Sequence, residues 1–241
     1  MKIPAILTAA SLVLGLVGCA SSNDTSTPEQ DRGLDESGVE AANSAPDTNP
    51  DGIPYPVDNI GTSARKGTKA GNRIANYKFL GYPNADVSGG LQPISLAQYF
   101  DPTGTKYKIV HIQAAGVWCG YCKAETKIVV PMKAELEAKG AVWLVSLAEG
   151  GTYGTPSKQS DLDGWIATFK SPYTHWLDPG NANLGPFYDR SALPWNANID
   201  ATTMEILTAG TGAVTTKEGI IEEVDKALEL AAKSTLRNNA Q

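Results

Sequence analysis

The sequence predicts an α/β domain whose sheet combines parallel and antiparallel strands. Two apolar runs, residues 108–114 and 141–147, flank a segment with helical periodicity, which together make a βαβ unit with parallel strands. Two further runs, residues 195–200 and 204–208, are joined by Ala201, Thr202 and Thr203 and read as an antiparallel hairpin. Between the first run and its helix stands Trp118-Cys119-Gly120-Tyr121-Cys122, so a pair of cysteines occupies a strand-to-helix junction.

The chain has 241 residues, 41% hydrophobic and 19% charged, a composition that supports one or two packed domains. Residues 1–18 differ from the rest. Lys2 supplies a positive start, and the apolar run from Ile6 to Val17 is too short for a stable transmembrane helix, so the segment reads as an export signal. Its end, Leu16-Val17-Gly18-Cys19, resembles the lipobox of bacterial lipoproteins. That resemblance implies cleavage before Cys19, acylation of Cys19, and a lipid anchor in the bacterial cell envelope. Ala20 rather than Asp follows the cysteine, which by that family's sorting rule implies the outer membrane, facing the periplasm.

Residues 19–52 read as a disordered acidic tether, because from Ala20 to Gly52 there are eight acidic residues, one basic residue and no aromatic residue. Much of the net charge of −6 lies here and says little about substrates. No basic stripe with interleaved aromatics points to nucleic acid. Arg65, Lys66, Lys69 and Arg73 form a small basic cluster that reads as a solvated face. Residues 53–102 are rich in Gly, Pro and Asn and read as a loop-rich extension packed on the main domain, with a short helix near Ile94 to Phe100 capped by Ser95.

Residues 103–241 form the main domain. The helix after the cysteines carries an apolar stripe at Ala124, Ile128, Met132 and Leu136, with Val129 beside it, and should kink at Pro131 and close at Gly140. Leu162, Trp165, Ile166 and Phe169 mark a second helix, with Asp161 as its N-cap. Thr174 to Leu177 is a short strand, Asn181 to Tyr188 a turn or broken helix, and the chain ends in a helix from about Thr216 with Ile220, Val224, Leu228 and Ala231 on one face.

The position of the cysteines carries the chemistry. A thiol at a helix N-terminus faces unpaired N–H groups and the positive end of the helix dipole, which lower its pKa from about 8.5 to roughly 3.5–7.5. Cys119 is therefore the expected nucleophile. Cys122, one turn further in, should be the more buried, resolving thiol. A zinc site would need ligands beyond this pair, and only Cys19, His111 and His175 are on offer, none in a second paired spacing, so no metal is expected. A purely structural disulfide stays open, although so short a loop gains little from chain entropy.

From about Gly71 to Lys233 the chain resembles the thioredoxin-fold superfamily, and within it the membrane-anchored, extracytoplasmic proteins of the TlpA/ResA type. The shared features are the strand ending in Trp118-Cys119 and Cys122, the Pro131 kink, the late hairpin and the terminal helix. The resemblance implies a thioredoxin-like three-layer α/β/α fold with a central mixed sheet. It implies a cis bond at Leu193-Pro194, whose loop lies against the cysteines, and a peptide groove shaped by Trp118, Leu193 and Pro194. It also marks departures. Gln113 stands where thioredoxins carry a buried Asp, which leaves the Cys122 proton to water or to an acid such as Glu149. Gly120-Tyr121 resembles the dipeptide of periplasmic disulfide isomerases, and Leu193 replaces the commoner Thr or Val.

The expected function is a membrane-tethered thiol–disulfide oxidoreductase that exchanges disulfides with exported proteins through Cys119 and Cys122. Its partners are thiol- or disulfide-containing exported proteins and a membrane redox partner, and it needs no organic cofactor. A peroxiredoxin would carry Thr three residues before the first cysteine, where this chain has Gly116, and a copper metallochaperone would resemble CxxxC with a downstream His. The alternative from a different class is a surface-tethered, non-catalytic binding module with a structural CxxC disulfide.

Overall fold

The computed structural model of the protein describes residues 36–60, 70–234 and 236. The export signal, Cys19, and the basic residues Arg65, Lys66 and Lys69 lie outside the described residues.

One seven-stranded mixed sheet organises the chain, in the order β2-β1-β5-β4-β3-β6-β7. Its centre is the expected βαβ unit. Strand β3 (Ile109–Gly116) and strand β4 (Ala141–Glu149) pair in parallel, and both are buried almost throughout, which is why their sequences run apolar instead of alternating. Between them the helix is broken in two, α2 (Gly120–Val129) and α3 (Lys133–Ala138), by a short 3-10 turn over Val130–Met132 that holds Pro131. Strand β5 (Thr174–Leu177) extends the parallel part beside β4. The hairpin β6 (Trp195–Asp200) and β7 (Glu205–Thr211) joins antiparallel to β3.

Residues on the two sheet faces pack against different helices. Val110, Ile112, Leu144 and Trp176 form one core with Leu162, Trp165 and Ile166 of α4 (Gln159–Phe169). Ile109, Trp143, Val145 and Leu207 form the other with Val129, Met132 and Leu136 and with Ile220, Val224 and Ala227 of α5 (Lys217–Ala232). The result is three layers, α/β/α. The cap of α5 is Thr216, whose hydroxyl accepts from Gly219 N at 3.1 Å. Helix α4 starts three residues earlier than the pattern suggested. Asp161 is not its N-cap but its third residue, reaching back to accept from Lys158 N at 2.9 Å.

The N-terminal half departs most from expectation. Residues 53–102 are not an extension laid on the domain: they supply two strands of the sheet. Strand β1 (Lys78–Tyr82) pairs antiparallel with β5, and β2 (Gln92–Ser95) pairs with β1 at the sheet margin, with Pro93 opposite Leu80. The helix expected over Ile94–Phe100 is shorter, a 3-10 turn at Leu96–Tyr99, and Ser95 N donates to the Gln98 side chain in front of it. On the far margin, Gly71 to Ile74 runs along β7, with Gly71 N donating to Ile206 O and Ile206 N donating to Asn72 O. Arg73 is not part of a solvated face. It is 8% exposed, donates to Thr203 O at 2.7 Å and pairs with Asp58 at 2.5 Å.

The acidic tether is also shorter than 19–52. Helix α1 (Glu36–Asn43) and the turn after it are packed, with Ala42, Ala45 and Asn49 buried. Few apolar side chains are available here, so polar anchors hold the segment. Asn49 Nδ2 donates to Phe100 O, the Asn49 Oδ1 accepts from Asp51 N and Ile53 N, Ser95 Oγ donates to Pro46 O, and the buried Tyr55 hydroxyl donates to Ile74 O at 2.6 Å.

Candidate active site

Strand β3 ends at Gly116, and two residues later the chain enters α2 with Cys119 as its N-cap. Cys119 and Cys122 are joined as a disulfide, with their Cα atoms 5.3 Å apart. Cys122 N lies 3.1 Å from Cys119 Sγ and donates to it, so one of the free N–H groups of the first helical turn is aimed at this sulfur. Once the bond is reduced, the same N–H and the helix dipole favour a thiolate at Cys119. The expected difference in burial is not there: Cys119 is 1% exposed and Cys122 0%. Leu193 explains part of this, because its carbonyl oxygen sits 3.4 Å from Cys119 Sγ. The Leu193-Pro194 bond is cis.

Trp118 borders the pair and is held rigidly. Its indole N–H donates to Glu149 Oε2 at 2.5 Å, and the same oxygen accepts from Gly154 N at 3.0 Å. Tyr153, on the loop after β4, packs edge-on against the indole with ring centroids 5.2 Å apart. Glu149 therefore anchors Trp118 and its loop. Gly116 makes the arrangement possible, since a Cβ there would stand 2.9 Å from Trp118 Nε1 and 3.3 Å from Leu193 Cδ1. Tyr121, between the cysteines, is 71% exposed.

The acid that does lie close in sequence and in space to Cys122 is Glu125, three residues on and on the same side of α2. It is fully buried and accepts from Gln113 Nε2 at 2.6 Å, Val214 N at 2.7 Å and Asn196 Nδ2 at 3.0 Å. Burial pushes its carboxyl up to about 7 despite these donors. Sequence reasoning missed it because the stripe was phased on Ala124 and Ile128. The buried set is Cys122, Glu125, Thr126 and Val129, and counting the helix face from Cys122 itself would have placed Glu125 inside.

The two histidines are remote from ligand duty. His175 is buried in β5, with Nδ1 2.8 Å from Tyr173 O. His111 is buried in β3, stacked on Trp143 with ring centroids 3.5 Å apart. Among the described residues no group of three or more His, Cys, Asp or Glu could hold a metal ion.

The molecule matches known structures with this layout. AhpC of Enterococcus faecalis superposes with a TM-score of 0.51 at 11% identity, over 68% of this chain and 94% of that one. The fold is thioredoxin-like. A secreted thiol-disulfide isomerase of Corynebacterium glutamicum is similar with a TM-score of 0.49 at 17% identity, over 74% of this chain and 96% of the other. The thioredoxin domain of a thiol-disulfide oxidoreductase of Bacteroides vulgatus gives 0.46 at 14% identity, over 65% and 99%. No family model and no curated protein sequence matches this chain. Among the described residues no helix is long and apolar enough to cross a membrane.

Proposed function

We propose that the chain is a thiol–disulfide oxidoreductase tethered to the cell envelope through lipid on Cys19, acting on exported proteins. The observation that carries this reading is the disulfide at the N-terminus of α2, with a helix N–H donating to Cys119 Sγ and a buried carboxylate one turn below Cys122. In the reducing direction the Cys119 thiolate attacks a substrate disulfide. A new S–S bond forms, the substrate bond breaks, and the leaving sulfur takes a proton. Cys122 then gives up its proton, with Glu125 as the acceptor, and attacks Cys119 Sγ. The second substrate thiol departs, and two electrons have passed to the substrate. The reverse order oxidises a dithiol. A membrane redox partner resets the pair, and Trp118, Leu193 and Pro194 border the position where the substrate peptide docks.

A second reading has one observation in its favour: both sulfurs are buried, as in an idle structural disulfide of a tethered binding module. The test is exchange with oxidised glutathione and a disulfide-bonded peptide. Under the enzyme reading the wild type exchanges, Cys119→Ser does not, and Cys122→Ser accumulates a mixed disulfide at Cys119. Failure of the wild type to exchange, with no trapped species in Cys122→Ser, establishes the module instead.

A further inference from the structure

His111 has no part in the scheme above, yet it is wired to Glu125 through one side chain. Its Nε2 lies 3.1 Å from Asn196 Oδ1, and its Nδ1 lies 2.9 Å from Asn198 Oδ1. The two contacts are not equivalent. Asn196 Nδ2 donates to both Glu125 oxygens, at 3.0 and 3.1 Å, and to Gly212 O at 3.0 Å. Turning that amide over would set its oxygen against a carbonyl and a carboxylate, so its oxygen is committed to face His111. His111 Nε2 must then carry the proton. Asn198 is free to present either end, because its other partner is the Thr208 hydroxyl at 3.1 Å, which both donates and accepts. The Nε2–H tautomer and the Asn196 orientation therefore support one another.

We propose that His111 is a positioning residue for Glu125: its Nε2–H holds the Asn196 amide with both hydrogens turned toward the carboxylate and Gly212, which keeps Glu125 ionisable inside the protein. The proposal rests on the reading of Glu125 as the proton acceptor for Cys122. Three features make the device specific. The stack on Trp143 fixes the imidazole plane. Burial keeps the ring neutral, so it acts as an oriented dipole and not as a counter-charge. Gln113 is locked in the same sense, since Thr126 Oγ1 donates to its Oε1 and leaves its amide N–H for Glu125. The titratable groups facing Glu125 are the Cys122 thiol of α2 once the disulfide is reduced, Glu223 from α5, whose charge opposes ionisation, and His111 from β3 across Asn196. Strand β6 contributes the Asn196 amide, and the segment before α5 contributes the Val214 N–H.

The test is the pH dependence of the reduction potential of the Cys119–Cys122 pair in the full chain, measured against thiol buffers. A break is expected where Glu125 titrates. In His111→Phe, which keeps the ring stack but has no N–H, Asn196 loses its brace, its hydrogen bonds to the charged Glu125 weaken, and the break moves to higher pH by about one unit, a tenfold change in proton affinity. In His111→Gln, whose amide can donate to Asn196, it returns toward its original position. A break that stays put in His111→Phe and vanishes in Glu125→Gln overturns the proposal while leaving the acceptor reading intact. A break that survives Glu125→Gln removes the acceptor reading itself. Proton–nitrogen correlation NMR of the wild-type imidazole gives an independent arm that needs no variant: an Nε2–H tautomer is expected at His111, and an Nδ1–H tautomer overturns the proposal.

Discussion

Gln113 Nε2 donates to Glu125 Oε2 at 2.6 Å across the seam between β3 and α2, so an amide on the sheet and an acid on the helix share one buried hydrogen bond. The carboxylate keeps three kinds of donor and still sits near neutrality, because the cost of taking its charge out of water outweighs them. This balance has a consequence for stability. Glu125 titrates near 7 when folded and near 4.5 in the unfolded chain, so the folded state holds the extra proton between those values. Stability from this group is present at low pH and falls as pH rises through that window, by up to about 3 kcal/mol. His111 and His175 act oppositely: both are pushed down to about 4 from 6.5 by burial, and their contribution is lost as pH falls below 6.5. Denaturant unfolding of wild type and Glu125→Gln between pH 4.5 and pH 8 separates the two, since the stability of the wild type relative to the variant should fall as pH rises.

Glu149→Ala should loosen the rim of the site. It leaves the Trp118 indole N–H and the Gly154 N–H without their shared acceptor, at a cost of about 1–3 kcal/mol. Urea midpoints read the cost. Exchange rates with a peptide disulfide should fall several-fold, because Trp118 and Tyr153 are no longer fixed beside Cys119.

Gly116→Ala tests the close approach of three elements. The added methyl must displace either the Trp118 indole or Leu193, an overpacking effect of roughly 1–3 kcal/mol. The expected outcome is a lower melting temperature together with slower exchange, and an unchanged melting temperature would show that the two side chains yield freely.

Asn49→Ala examines the polar anchoring of the N-terminal segment. It removes acceptors for Asp51 N and Ile53 N and the donor to Phe100 O, and should cost about 1–3 kcal/mol. Limited proteolysis should then cut within residues 44–58, which the wild type protects.

The central strands, the hairpin, the Pro131 break and the terminal helix were legible because each leaves a local mark: an apolar run buried on both faces, a paired alternation, a missing donor, an apolar stripe at helical spacing. What was not legible depends on neighbours remote in sequence. Strand β1 is interrupted by Gly81, which reads as a loop signal, yet the β5 backbone passes so close that a Cβ there would strike it. Strand β2 contains Pro93, an ordinary argument against a strand, which is tolerated at a margin. In β6 the alternating polar residues Asn196, Asn198 and Asp200 are all buried, two of them on His111, a placement that depends on β3 and not on the local pattern. Cys119 and Cys122 were evident from spacing alone, and Glu125 could have been found by counting the helix face from Cys122, but its amide partners Gln113 and Asn196 come from strands remote in sequence.

The two margins of the sheet are closed in different ways. At β2 the outermost strand is only four residues long and Pro93 removes one of its N–H groups. At β7 the chain itself lies alongside, with Gly71 and Asn72 taking up the hydrogen bonds of Ile206. The β2 edge is therefore short and interrupted, and at the start of β7 the outward donor and acceptor of Ile206 are already taken. A further strand laid against the β2 margin or beside Ile206 would find few backbone groups to pair with, and the sheet is stopped from growing there by its own chain.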